Sequence, residues 1–172
     1  MIEKSTIQKV LEFFFRNPSR EFHLRELSRL LKLSMPTIIS ATDKLASERL
    51  IIKAKSGFIT RLQSNRENIS FIRKKRVFNL EMVYDSGIVE RILKAYNHPR
   101  AIILFGSFSR GDDIESSDID LAVLTKKRSD LRLPEYEKAL GRRISIHEVD
   151  LDEVSGEFRA NLANGIMLEG SW

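Results

Sequence analysis

The chain has 172 residues, 42% apolar and 31% charged, with a net charge of +5 and no cysteine. That length allows one domain or two small ones with real cores. The missing cysteine excludes disulfides and thiolate metal sites, and three scattered histidines do not form a zinc motif. With no run of about 18 apolar residues and no basic-then-apolar leader, a soluble cytoplasmic protein with no membrane partner is expected. The charge is uneven: residues 1–80 carry 17 Lys/Arg and 7 Asp/Glu (+10), whereas residues 81–172 carry 12 and 17 (−5). A basic half followed by an acidic half suits a polyanion partner for the first and metal ions for the second.

Ser5-Thr6-Ile7-Gln8 has the form of a capping box and precedes apolar residues at Ile7, Val10, Leu11, Phe14 and Phe15. This predicts a helix ended by Asn17-Pro18-Ser19. A second helix is expected from about His23 to Lys32, with Leu24, Leu27, Leu30 and Leu31 as its buried stripe. Ser34 can cap a third, with Pro36 in its first turn and Ile38, Ala41, Thr42 and Leu45 facing a core. Leu50–Lys55 then reads as a strand, Ser56-Gly57 as a turn, and Phe58–Leu62 as the returning strand.

Three short helices followed by a two-stranded ribbon describe a winged helix-turn-helix over residues 1–65. The stretches His23-Leu24-Arg25-Glu26-Leu27-Ser28-Arg29-Leu30-Leu31-Lys32-Leu33-Ser34 and Leu45-Ala46-Ser47-Glu48-Arg49-Leu50-Ile51 resemble the winged-helix regulators. The resemblance implies a third helix entering the major groove of duplex DNA and a ribbon lying along phosphates. The candidate contacts are Pro36, Thr37, Ser40 and Lys44 on the helix, with Lys53, Lys55 and Arg61 on the wing. The helix face lacks the Arg, Asn or Gln that read base edges, and Ile39 near it suits a packing surface; the basic charge favours DNA. A homodimer matching two half-sites is a fold-level expectation.

Residues 66–96 are expected to be a helical connector in two pieces, broken near Asp85-Ser86-Gly87. Arg73-Lys74-Lys75-Arg76 within it is either a phosphate-contacting run or a solvated helix face. From 97 to 172 a mixed sheet with helices is expected, making the whole chain α+β. Ala101–Phe105 and Leu121–Leu124 are apolar runs, and between them stand Gly106-Ser107, ten residues, and Asp118-Ile119-Asp120. Alternation along the second strand puts Asp118 and Asp120 on one side, about 7 Å apart. There they can share Mg²⁺ (or Mn²⁺) with phosphate and water oxygens. The Gly-Ser turn lets backbone approach a triphosphate closely.

The stretch Gly106-Ser107-Phe108-Ser109-Arg110-Gly111-Asp112-Asp113-Ile114-Glu115-Ser116-Ser117-Asp118-Ile119-Asp120-Leu121 closely resembles the signature of minimal nucleotidyltransferases of the DNA polymerase β superfamily. The ending Asn164-Gly165-Ile166-Met167-Leu168-Glu169-Gly170 resembles that family's closing turn and short strand. The resemblance implies Mg²⁺-dependent transfer of a nucleoside monophosphate from a nucleoside triphosphate (NTP) to a hydroxyl. It makes Asp118 and Asp120 catalytic metal ligands and Gly106, Ser107, Arg110 and Gly111 the nucleotide cradle. Arg110 can pair with the triphosphate or with Asp118. Asp112, Asp113 and Glu115 read as a solvated acidic loop.

Two-metal nucleotidyl transfer needs a further acid on a neighbouring strand, here Arg143–Val149 after a helix from about Pro134 to Leu140. Ile144 and Ile146 should face the core, leaving Ser145 and His147 on the site face, where the family expects an aspartate. Glu148 could serve only through a bulge, and Asp150 only from a loop. Three functions follow: a nucleotidyltransferase with a DNA-binding winged helix, a nucleotide-sensing transcriptional regulator with a weak or inactive transferase domain, or a protein-interaction module with a decayed site, which the retained Asp pair disfavours. Some minimal nucleotidyltransferases modify a toxin, which adds a protein acceptor or toxin partner to the candidates.

Overall fold

The computed structural model describes residues 4–57 and 59–172; Phe58, expected in the returning strand, lies outside the described residues. The chain divides into two compact units, residues 1–75 and 76–172. The division falls within the helix α4 (Ile69–Asp85). Among the described residues no helix is long and apolar enough to cross a membrane.

The first unit runs α1 (Thr6–Arg16), β1 (Glu21–His23), α2 (Leu24–Leu31), α3 (Met35–Ser47), β2 (Ile51–Ser56) and β3 (Ile59–Ser64). Ser5 and Ser34 accept backbone N–H bonds from Gln8 and Thr37, fixing the starts of α1 and α3. The Ser5 box is only half closed, because the Gln8 amide turns to Glu12. The three strands form an antiparallel sheet in the order β1-β3-β2. Phe22 at the centre of β1 is fully buried, with ring centroids 4.9 Å from Phe13 and 6.1 Å from Phe14. Ile38, Ala41, Thr42 and Leu45 of α3 are buried as their spacing predicts. Leu30, expected in the α2 stripe, is 52% exposed, because so short a helix sends only Leu27 fully inside.

The second unit continues through α5 (Ile88–Tyr96), β4 (Ala101–Phe105), α6 (Gly106–Arg110), β5 (Ile119–Leu124), α7 (Pro134–Leu140), β6 (Ile144–Val149), α8 (Gly156–Ala163) and β7 (Ile166–Gly170). Its sheet has the order β6-β5-β4-β7. The β5–β6 pair is parallel, joined through α7, and the β4–β5 and β4–β7 pairs are antiparallel. All five residues of β4 are buried, which explains its unbroken apolar sequence. One face sends Ile102, Leu104, Leu121 and Val123 against Ile88, Ile92 and Tyr96 of α5. The other sends Ala101, Ile103, Phe105, Ala122 and Leu124 against Leu162 and Phe158 of α8.

The connection between α6 and β5 is solvated at Asp112, as its composition suggests, but not at Asp113. Asp113 is buried, accepts a 2.7 Å bond from the Asn79 amide, and pairs with Arg142 at 3.3 Å. Asn79 also donates to the Phe108 carbonyl, and Arg142 to the Ile114 carbonyl, so both ends of the loop are tied. In the charged run of α4, Lys75 is buried, whereas Arg73, Lys74 and Arg76 are exposed. At the far side of β6, Glu148 accepts bonds from the Tyr96 hydroxyl (2.7 Å) and the Ser129 N–H (2.6 Å).

Two outcomes are expected. Asp113→Ala, which strands the buried Arg142, should lower the stability of the second unit by about 3–5 kcal/mol in urea titrations followed by circular dichroism; a loss below about 1 kcal/mol would contradict the buried pair. Burial, reinforced by the hydrogen bond to Glu148, pushes the Tyr96 phenol up from its usual pKa of 10.0. The folded state thus holds this proton more tightly than the unfolded one. That stability is fully present below about pH 10 and is lost as pH rises toward the raised value. The alkaline fall in urea midpoint should therefore be shallower in Tyr96→Phe than in wild type.

Candidate functional site

The site begins where β4 ends. Phe105 is the register partner of Asp120 in the antiparallel β4–β5 pair, so the next residue, Gly106, turns out of the sheet beside that carboxylate. Gly106 has φ +72°, and a Cβ there would lie 2.5 Å from Asp120 Oδ2. The left-handed φ favours glycine, and any Cβ there would displace the Asp120 carboxylate. The Gly-Ser pair does not form a simple turn; it opens the single helical turn α6, closed by Gly111 at φ +79° and by a bond from Ser109 Oγ to the Gly106 carbonyl. Among the described residues the Ser107 hydroxyl has no hydrogen-bond partner.

Asp118 immediately precedes β5 and Asp120 lies within it; β6 runs parallel alongside, pairing Asp120 with Ser145 and Ala122 with His147. Ser145 Oγ stands 3.5 Å from Asp118 Oδ2, and His147 Nε2 stands 3.4 Å from Asp120 Oδ1. Four side chains thus share one face, as alternation predicts, and both contacts are long for hydrogen bonds. The His147 ring is set against Phe105 (centroids 5.0 Å, near-perpendicular) and Phe158 (6.3 Å). These aromatic neighbours are a feature the sequence reading missed, since Phe158 arrives from α8.

The other acids are otherwise engaged. Glu148 points to the opposite face through Tyr96 and Ser129, with β6 in unbroken register and no bulge. Asp150, just past β6, bonds the Asp152 N–H and pairs with Lys126. Arg110 pairs with Asp112 at 3.1 Å on the surface, rather than with Asp118. A cavity of about 340 Å³ in this unit, lined in part by Tyr96, Arg100, Lys126 and Asp150, lies at the opposite end of the sheet from Asp118 and Asp120.

The carboxylates suit a hard divalent cation. Among the described residues neither Asp118 nor Asp120 has a Lys or Arg partner, and the Asp120 side chain is 29% exposed. Among the described residues no group of three or more His, Asp or Glu side chains is placed to hold a metal ion by itself. A cation held here would take the two carboxylates and complete its shell with water and phosphate oxygens, the arrangement Mg²⁺ favours.

In the first unit, the residues singled out for DNA fall on α3 and on the β2–β3 hairpin. Pro36, Ser40 and Lys55 are exposed, and Thr37 shares a 2.7 Å hydroxyl contact with Ser34. Lys44 pairs with Glu48 (3.1 Å), Lys53 with Asp43 (2.7 Å) and Arg61 with Glu21 (3.6 Å). The acids that hold these cations come from the end of α3 (Glu48), from α3 itself (Asp43) and from β1 (Glu21).

Residues 88–171 match the family model described as polymerase beta, nucleotidyltransferase. No curated protein and no solved structure matches the chain. The matched segment runs from α5 to β7 and contains every strand of the second sheet together with Gly106, Asp118 and Asp120. The chain therefore carries a nucleotidyltransferase domain of the polymerase beta type over residues 88–171.

Proposed function

We propose that the second unit binds an NTP with a divalent cation at Gly106, Ser107, Asp118 and Asp120 and transfers its nucleoside monophosphate to a hydroxyl. The observation that carries this reading is the pair of carboxylates at the start of β5, without a Lys or Arg partner among the described residues, beside a glycine at positive φ whose Cβ would displace Asp120. Gly106 leaves space for close approach, and Ser107 and the backbone of α6 offer donors to phosphate oxygens. Asp118 and Asp120 would hold Mg²⁺ or Mn²⁺, which when bound neutralises triphosphate charge and favours attack by the acceptor oxygen. Their fixed spacing on β5 orients the phosphates with little reorganisation.

A second reading is a nucleotide-sensing regulator that binds without turnover. It is supported by the site face of β6, where Ser145 and His147 stand and no carboxylate does among the described residues. In both readings the first unit is a winged helix-turn-helix that binds duplex DNA. Its support is the element order, with α3 followed by the β2–β3 hairpin, and the basic balance of residues 1–80. The ion pairs of Lys44 and Arg61 do not oppose this: exposed pairs are worth about 0–1 kcal/mol, so phosphates can displace the acids.

Incubation with labelled ATP, GTP, CTP and UTP, Mg²⁺ or Mn²⁺, and a cell lysate separates the readings. Label on a protein or small-molecule hydroxyl supports the transferase, and calorimetric binding without label supports the sensor. The Asp118→Asn/Asp120→Asn double variant should lose cation-dependent NTP binding, and Gly106→Ala should do the same through its clash with Asp120. Unchanged binding in both variants would overturn the site. For the first unit, DNA affinity should fall with salt, with a log–log slope of roughly −0.9 per phosphate contacted; a salt-independent or absent interaction would contradict DNA binding.

A further inference from the structure

We propose that the exposed face of α4 is a self-association surface, on which two copies of the chain pair through antiparallel α4 helices about a two-fold axis at Val77. Such a surface is independent of the nucleotide and DNA sites, and it gives a role to the charged run that neither of them uses.

Helical period alone decides which side chains of α4 share a face. Ile69, Arg73, Val77, Leu80 and Tyr84 recur at intervals of four, four, three and four residues and so form one stripe. Ile69 is 58% exposed, Val77 68% and Tyr84 43%, and Val77 is the most exposed large apolar side chain among the described residues. Single apolar residues scattered over a surface are ordinary, but three on one stripe of one helix make a patch.

Charge says what covers the patch. Arg73, Lys74 and Arg76 precede Val77, and Glu81 and Asp85 follow it, all five exposed. None of the five has an ion-pair partner among the described residues. Like charges three or four residues apart repel, as Arg73 does Arg76 and Glu81 does Asp85. Asp85 also ends the helix, where the dipole disfavours an anion. A second α4 running the opposite way sets basic half against acidic half and relieves this repulsion.

Val77 is the midpoint of the 17-residue helix, so an axis there overlaps the two helices along their full length and brings Val77 onto its own copy. Lys74, three residues before Val77, and Glu81, four after it, fall on the same flank of the stripe. Two-fold symmetry then places Lys74 beside Glu81 of the second copy, and does so twice. On the other flank Tyr84 meets Ile69 of the second copy, whose Arg73 is near enough to lie over the ring. A parallel pair would instead level every charge with its own copy.

The chain has no cysteine, so Val77→Cys carries a sole thiol, and mild oxidation should join two full-length chains through it. Packed helices 8–10 Å apart put the two Cα atoms at the axis roughly 5 Å apart, within the reach of a disulfide. Leu30→Cys, also exposed but on α2, should stay uncrosslinked. Sedimentation equilibrium on the wild-type chain should give twice the chain mass. Glu81→Lys should weaken the dimer roughly tenfold, because symmetry makes two attractive pairs repulsive together. The double reversal Lys74→Glu/Glu81→Lys should restore it, which separates a lost contact from a lost fold. A monomeric wild type, or a dimer that does not cross-link at Val77, would overturn the surface. A dimer that the double reversal fails to rescue would overturn the antiparallel register. A monomer whose DNA affinity falls with Lys74→Glu would make the charged run a phosphate contact and overturn its role in pairing.

Discussion

The close approach of Gly106 to Asp120 is the constraint from which the rest of the site follows. Antiparallel pairing of β4 with β5 sets Phe105 opposite Asp120, so the first residue beyond β4 meets the carboxylate whatever its identity. A Cβ there would sit 2.5 Å from Oδ2, and the chain must turn at φ +72° to leave the sheet. Glycine meets the backbone demand without strain and leaves the Asp120 carboxylate in place. Once it does, α6 starts against the carboxylate, and the free oxygen of Asp120 is directed along the sheet to His147 on β6. Backbone donors, a carboxylate and an imidazole are thereby brought together by strand register rather than by loop flexibility.

Aspartates of the same short segment have opposite fates, and environment decides which. Asp113 is fully enclosed, and its charge is matched by Arg142 and Asn79; burial of a carboxylate demands such partners. Asp118 and Asp120 are partly exposed, and among the described residues no Lys or Arg answers them. Two carboxylates side by side without a counter-charge repel one another, which is a cost that a bound cation relieves. The buried triad also ties the loop that ends at Asp118, so the fixed acid holds the free ones in place. On the other side of β6, Glu148 performs a similar anchoring role for the segment around Ser129.

Much of this was legible in the sequence where a local rule acts alone. Ser34 and Pro36 mark the start of α3, and Ile38, Ala41, Thr42 and Leu45 fall on its buried face because helical period decides burial there. Alternation in β6 places Ser145 and His147 beside the Asp pair for the same reason, with a period of two. What could not be read depends on partners distant in sequence. Asp113 looked solvated because Asn79 and Arg142 lie 34 and 29 residues away. The strand β1 is three residues long, too short to show alternation, and is recognisable only through its pairing with β3. Leu30 carried the right spacing but sits on a helix too short to bury it. Arg110 found Asp112, two residues on, in preference to the distant Asp118.

The central claim is that the face of β5 bearing Asp118 and Asp120, beside Gly106, is where a cation and a triphosphate meet. A crystal structure with a non-hydrolysable NTP and Mn²⁺ tests it most directly, using anomalous scattering to locate the ion. The account expects the ion against Asp118 and Asp120 and the phosphates against α6. An ion and nucleotide seated elsewhere, such as in the cavity by Tyr96 and Arg100 at the other end of the sheet, would contradict it.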